Sequence, residues 1–161
     1  MGGIVGLTKS IAELTLMTAV LDGLKNDKQI VEFLSDVDRI FKISGRAQLS
    51  PLFVKEVYDK DHVQDKCVFK VKQKSWIDNA QEVIGTEYLY QSRLWSFPAN
   101  QLDMIMECFE NMIKDVMETS TKQYIDVEHL LYKHIGPERS VELEYLHLHC
   151  ATAPQAALIY D

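Results

Sequence analysis

Between Ala99 and Glu118 apolar residues recur at steps of three and four: Leu102, Ile105, Met106, Phe109, Met112, Ile113, Val116 and Met117. Asp103, Glu107, Glu110 and Lys114 fall on the opposite side. This spacing predicts one long amphipathic helix. A helix with a single apolar stripe must lay that stripe on another layer, so the rest of the chain has to supply one. The stripe is rich in methionine, with Met104 beside it. Methionine surfaces can adapt to partners, but regular spacing over the whole helix reads as core.

The N-terminal third is helical in pattern. Leu7, Ile11, Leu14, Met17, Leu21 and Leu24 keep helical steps, and Ser10 followed by Glu13 resembles a capping box, so a helix is expected from near Thr8 or a turn later. Its far side carries Ile4, Val5, Leu16, Ala19 and Val20. A helix apolar all round is either deeply buried or shared with a partner chain. Leu7, Ile11, Leu14, Met17 and Leu21 are therefore the candidate partner-binding surface, most simply in a two-fold homodimer. Asn26-Asp27 opens a second helix with a stripe of Ile30, Phe33, Leu34, Val37, Ile40 and Phe41 and Gly45 as its C-cap. Asp36, Asp38 and Arg39 take its wet side.

After Ser50-Pro51 the pattern fits a short helix through Phe53–Tyr58 or a strand over Leu52–Val57. Lys66–Lys74 alternates, with Cys67, Phe69 and Val71 on one face and four lysines on the other, as in a lysine-guarded edge strand. Ser75 can cap a helix over Trp76–Ile84 that ends at Gly85, and Glu87–Phe97 reads as an aromatic strand closed by Pro98. Ser120–Gln123 reads as a loop. Asp126 caps a short helix, Val127–Ile135, which Gly136-Pro137 stops. Pro154-Gln155 is a turn before a last strand over Ala156–Tyr160. The expected fold is α+β: N-terminal helices and a small, mostly antiparallel sheet packed against the long helix, all in one domain over residues 1–161.

Composition narrows the function. The chain has 161 residues, 47% of them hydrophobic, which suffices for a core without staples. Its net charge of −7 argues against nucleic acid as the main partner, because phosphate backbones need clustered Lys and Arg. Cys67, Cys108 and Cys150 are odd in number and widely spaced, which points to a reducing, cytoplasmic setting. No apolar run is long enough to span a membrane. Gly2 lacks the Ser or Thr that myristoylation wants at position 6, where Gly6 stands. Asp59-Lys60-Asp61-His62 lacks the spaced oxygens and glycine of a calcium loop.

One segment crowds reactive groups together. Val141–Cys150 reads V-E-L-E-Y-L-H-L-H-C. As a single strand with one bulge at Tyr145, it points Val141, Leu143, Leu146, Leu148 and Cys150 inward and Glu142, Glu144, His147 and His149 outward. An H-x-H pair on a strand can take two positions on a divalent metal, so His147 and His149, with Glu144 as carboxylate ligand, are the candidate metal site. A third imidazole would have to come from His62, His129 or His134. In the plain alternative the glutamates pair across strands with the lysines of Lys66–Lys74. No nucleophile elbow, phosphate loop or dinucleotide fingerprint is present. The sequence therefore favours a non-enzymatic protein-binding module, an adaptor or regulator of another protein. The alternatives are a metal sensor or metal-dependent enzyme using the H-x-H pair, and a small-molecule sensor with an aromatic pocket built from Tyr88, Tyr90 and Trp95.

Overall fold

The run Leu94-Trp95-Ser96-Phe97-Pro98 is buried at every position, so this strand must be covered on both faces. It is the sixth of nine strands among the residues that the computed structural model describes, 2–118, 125–152 and 157–160. In chain order the elements are α1 (Gly2–Asn26), α2 (Lys28–Leu34), β1 (Arg39–Ile43), β2 (Ala47–Leu49), α3 (Asp61–Gln64), β3 (Cys67–Lys70), β4 (Gln73–Lys74), α4 (Ala80–Val83), β5 (Tyr88–Leu89), β6 (Leu94–Pro98), α5 (Leu102–Glu118), α6 (Val127–Ile135), β7 (Ser140–Leu143), β8 (Leu148–Thr152) and β9 (Ala157–Tyr160).

The main sheet has the order β1-β6-β3-β7. β6 runs antiparallel to β1 and β3, and β3 runs parallel to β7, with Cys67 opposite Ser140 and Lys70 opposite Leu143. A second sheet joins β2, β8 and β9, and β4 pairs with β5. Strand alternation sends neighbouring residues to opposite faces. Cys67, Phe69, Trp95 and Phe97 face α1, α5 and α6, where Leu14, Leu21, Ile105, Phe109, Met112 and Leu130 complete the larger core. Val68 and Leu94 face the other way, with Tyr58, Val63, Leu146 and Leu148. The expected α+β class, with a long helix packed on the sheet, is the observed one.

Several element boundaries differ from the sequence expectation. α1 begins at Gly2, ahead of Thr8. The second helix stops at Leu34 instead of running to Phe41. Ile40 joins the larger core and Phe41 the smaller one, two opposite destinations that adjacent residues reach in a strand. Residues 55–57 form one 3₁₀ turn. Lys66–Lys74 is not one lysine-guarded edge strand. Its first part is the interior strand β3, buried on both faces, and its end pairs separately as β4. Of the Trp76–Ile84 helix only α4 is helical, and Glu87–Phe97 divides into β5 and β6. Asp126 caps α6 as expected, accepting the His129 backbone N–H at 2.9 Å. The Ser120–Gln123 loop and the Pro154-Gln155 turn lie outside the described residues.

Asp115 clasps α5 to α6, with Lys133 Nζ and His134 Nε2 each 2.7 Å from its Oδ2. Burial pushes the Asp115 carboxyl up, but the hydrogen bonds from Lys133 and His134 outweigh it, so the group sits below the usual carboxylate value. A carboxylate depressed in the folded state contributes stability at neutral pH that is lost as pH falls through the carboxylate range. The thermal midpoint of Asp115→Asn is therefore expected to fall less steeply than wild type between neutrality and about pH 3. Melts across that range check it, and parallel profiles would show that the clasp contributes nothing to acid sensitivity.

Candidate functional sites

Among the described residues strand β1 ends the main sheet, with no strand paired to its outer edge. Ser44 donates its N–H to the Arg93 carbonyl at 2.8 Å, and Ala99 donates to the Asp38 carbonyl at 2.8 Å. These bonds fix the phase of the ladder. Even-numbered residues turn their backbone groups to β6, so the N–H and C=O groups of Arg39, Phe41 and Ile43 point outward. A groove of about 560 Å³ runs beside this edge, lined by Leu16, Met17, Val20 and Leu24 of α1 and Ile40 and Ile43 of β1. Leu16 is 67% exposed, Val20 48% and Ile43 42%. One charged end of the groove is self-paired, with Glu13 Oε1 3.8 Å from Lys42 Nζ. Arg46, which also lines the groove, is exposed.

A second constellation lies between β4 and α6. His129 is fully buried. Its Nδ1 is 2.7 Å from Asp126 Oδ1, and its Nε2 is 2.8 Å from Ser75 Oγ. Asp126 is acceptor-only when ionised, which puts the imidazole proton on Nδ1 and leaves the Nε2 lone pair for the Ser75 hydroxyl proton. Ser75 Oγ in turn accepts the Ile77 N–H at 3.0 Å. Both ring nitrogens and Ser75 Oγ thus have partners. Trp76 stands edge-on to the imidazole, with ring centroids 5.3 Å apart. Beside Trp76 and Asp126 opens a cavity of about 260 Å³, lined also by Lys9, Ser10, Glu13 and Ser92.

Sequence reasoning named both ends of this relay only as helix caps. Asp126 and His129 are three residues apart on a helix N-terminus, a spacing at which the cap carboxylate also reaches the ring. Ser75 is 54 residues away from His129, and no local pattern connects them.

The segment after α6 is not one bulged strand. β7 belongs to the main sheet and β8 to the second, and His147, at φ +53°, turns the chain between them. Leu146 and Leu148 are buried, as the inward assignment requires, while the Cys150 side chain lies outside the described residues. Glu142 leaves the outward row. It accepts from the Tyr90 hydroxyl at 3.1 Å and from the Lys72 backbone N–H at 3.3 Å, and lies 3.6 Å from Lys72 Nζ. Glu142 thus pairs with a lysine of Lys66–Lys74 as in the plain reading, but Lys72 lies in the link between β3 and β4 and not in a strand. Glu144 is exposed, His147 stacks on Tyr145 at 6.2 Å, and His149 sits in β8 opposite Gln48 and Tyr160. Among the described residues no three His, Cys, Asp or Glu side chains gather closely enough to hold a metal ion.

The stripe Leu7, Ile11, Leu14, Met17 and Leu21 mostly serves the chain itself. Leu14 and Leu21 are buried in the larger core, Leu7 and Met17 pack against it, and Ile11 is 38% exposed. Among the described residues the most exposed large apolar side chains of α1 are Leu16 and Val20. The aromatic residues leave no room for a ligand at the centre of the sheet, because Phe69 stacks on Tyr90 at 4.2 Å and on Trp95 at 5.4 Å. Tyr88 lies near the surface, 5.4 Å from Lys72 Nζ. Burial pushes the Cys67 thiol to about 12 and raises that of Cys108, so neither supplies a thiolate at neutral pH. Among the described residues no helix is long and apolar enough to cross a membrane. No family model, curated protein or solved structure matches this chain.

Proposed function

We propose that the protein acts in the cytoplasm as a protein-binding module, an adaptor or regulator that takes up an extended segment of a partner chain along β1. The observation that carries this reading is the open β1 edge lying beside an apolar groove. Three outward N–H and C=O pairs can bond an added strand, and Leu16, Val20 and Ile43 can receive its alternate side chains. The exposed Arg46 suits a segment that is apolar at alternate positions and ends in an acidic residue.

The test uses the full chain as bait in extract of the native cell. Val20→Asp places a charge in the groove. Ile43→Pro removes an outward N–H without touching the β6 ladder. The expected result is a bound protein that is lost with either variant and kept with Phe33→Ser on α2. That protein slows amide exchange at Arg39, Phe41 and Ile43. Binding that survives both edge variants overturns the proposal. So does a stable dimer, seen by light scattering, that itself protects those amides, since the edge would then belong to a second copy.

A further inference from the structure

The two ends of the β1 edge differ in charge. The cavity where the strand begins is lined by Asp38, Asp59 and Asp65 against Arg39 alone, which keeps its guanidinium on the Val63, Gln64 and Lys66 carbonyls. Beyond Ile43, where the strand ends, Arg46 is exposed, and its guanidinium has no ion-pair partner among the described residues. Of the residues lining the groove, Glu13 alone is acidic, and Lys42 Nζ stands 3.8 Å from its carboxylate. Resting on the reading of β1 as a strand-addition site, we propose that the segment taken up is the free carboxyl end of a partner chain. It lies parallel to β1, with its terminal carboxylate on the Gly45 N–H and the Arg46 guanidinium.

The ladder fixes where that carboxylate falls. In a parallel pair each outward residue donates its N–H to the carbonyl of the residue before its partner and accepts from the N–H of the residue after it. Arg39, Phe41 and Ile43 are the outward residues, and the Ser44 N–H turns to β6 through its bond to the Arg93 carbonyl. Gly45 is next in this alternation, and its N–H has no acceptor among the described residues. With the last residue of the ligand opposite Ser44, its N–H bonds the Ile43 carbonyl, and its carboxylate is the next acceptor in line for the Gly45 N–H. The ladder stops there, because the Ala47 N–H bonds the Ser44 carbonyl at 2.9 Å and turns the chain away. A strand that runs on finds no further backbone partner, whereas one that ends there sets its charge beside Gly45 and Arg46. Nothing lies within 4 Å of where a Cβ on Gly45 would stand, so the backbone is open to approach.

Register also sets the side chains. Residues directly opposite each other share a face. The last residue of the ligand and the second before it, opposite Ser44 and Lys42, therefore face α1, as Ile40 does. Leu16, Met17 and Val20 line the groove on that side, which selects apolar side chains at those two positions. Orientation follows from charge. An antiparallel strand would carry its carboxyl end to Asp38, Asp59 and Asp65, where like charge repels it.

Two random hexapeptide pools test this on the full chain, one with free carboxyl ends and one with the same sequences amidated, read by affinity selection and mass spectrometry. The expected result is recovery from the free-acid pool of peptides apolar at the last and third-last positions. Synthesised singly, the best of them loses about 10-fold or more in affinity when its end is amidated. Gly45→Pro removes the donor and Arg46→Gln the cation. Each weakens the acid form more than the amide, so the gap between the two narrows. Proline suits the second position of a turn, and unchanged amide exchange along β6 shows that the sheet is kept. Acid and amide forms that bind equally, and are both lost with Ile43→Pro, overturn this inference and leave the edge reading standing. Failure to recover any peptide from the free-acid pool overturns it as well. Peptide binding that survives Ile43→Pro overturns both.

Discussion

Phe69→Ala should unfold at much lower urea than wild type, with a loss of about 3–5 kcal/mol. Phe69 is fully buried in the interior strand β3. Its ring lies within 6° of parallel to Tyr90 and within 13° of parallel to Trp95, and Trp95 continues the stack to Phe109 of α5 at 6.1 Å. Truncation removes the ring's burial, its two stacking partners and the link from sheet to helix at once. The neighbours are large aromatics held by their own contacts, so the cavity cannot close easily. A domain of this kind has about 5–15 kcal/mol in hand, so the variant should lose roughly 10 °C in thermal midpoint. Phe69→Leu keeps much of the volume and should lose less. Equal losses for both variants would show that the stack itself adds nothing.

Arg39→Met should cost about 3 kcal/mol, and Arg39→Lys should recover only part of that. One guanidinium nitrogen donates to the Lys66 carbonyl at 3.0 Å and to Ser96 Oγ at 3.1 Å. The other donates to the Val63 carbonyl at 2.7 Å and the Gln64 carbonyl at 3.0 Å. The same group lies 5.8 Å from the Tyr58 ring centre. It fastens the segment around α3 to β1 and β6. Methionine fills the space but leaves part-buried oxygens at Val63, Lys66 and Ser96 without this donor. A lysine ammonium is a single point and cannot span acceptors set at both ends of a planar fork. Hydrogen exchange should accelerate first at Val63–Lys66, ahead of the sheet. Uniform acceleration would mean that Arg39 supports the whole fold and not this segment.

Arg39 also shows where the sequence misleads. Helical spacing puts it on a wet face beside Asp38, and nothing nearby in sequence reveals acceptors at Val63–Lys66. Legibility follows the range of the cause. α5 and α6 are readable because stripe and cap are local, and Asp126 and Gly136 stand where the α6 boundaries fall. Helical spacing runs on into β1 because Ile30, Phe33, Leu34, Val37, Ile40 and Phe41 keep helical steps by chance. The pairing with Leu94–Pro98 that overrides them comes from more than fifty residues away. The inward assignment of Leu146 and Leu148 was legible from alternation. The change of sheet at His147 was not, because a left-handed turn at a histidine has no pattern around it. Ser75 and His129 could be seen singly but not as neighbours.

The parallel pairing of β3 with β7 has a consequence for how the chain is made. β3 emerges from the ribosome early, yet its second neighbour follows about seventy residues later, with Val68 opposite Val141. Until Ser140–Leu143 arrives, the Cys67-Val68-Phe69-Lys70 backbone presents an unpaired, apolar edge. Such an edge templates the same segment of another nascent copy. Lys66 and Lys70, which bracket it, set a charge at each end of that edge, where charge opposes aggregation. After folding, Lys66 Nζ is bonded to the Glu138 carbonyl at the approach to β7. A guard of the unfinished chain thus becomes a fastening of the finished one.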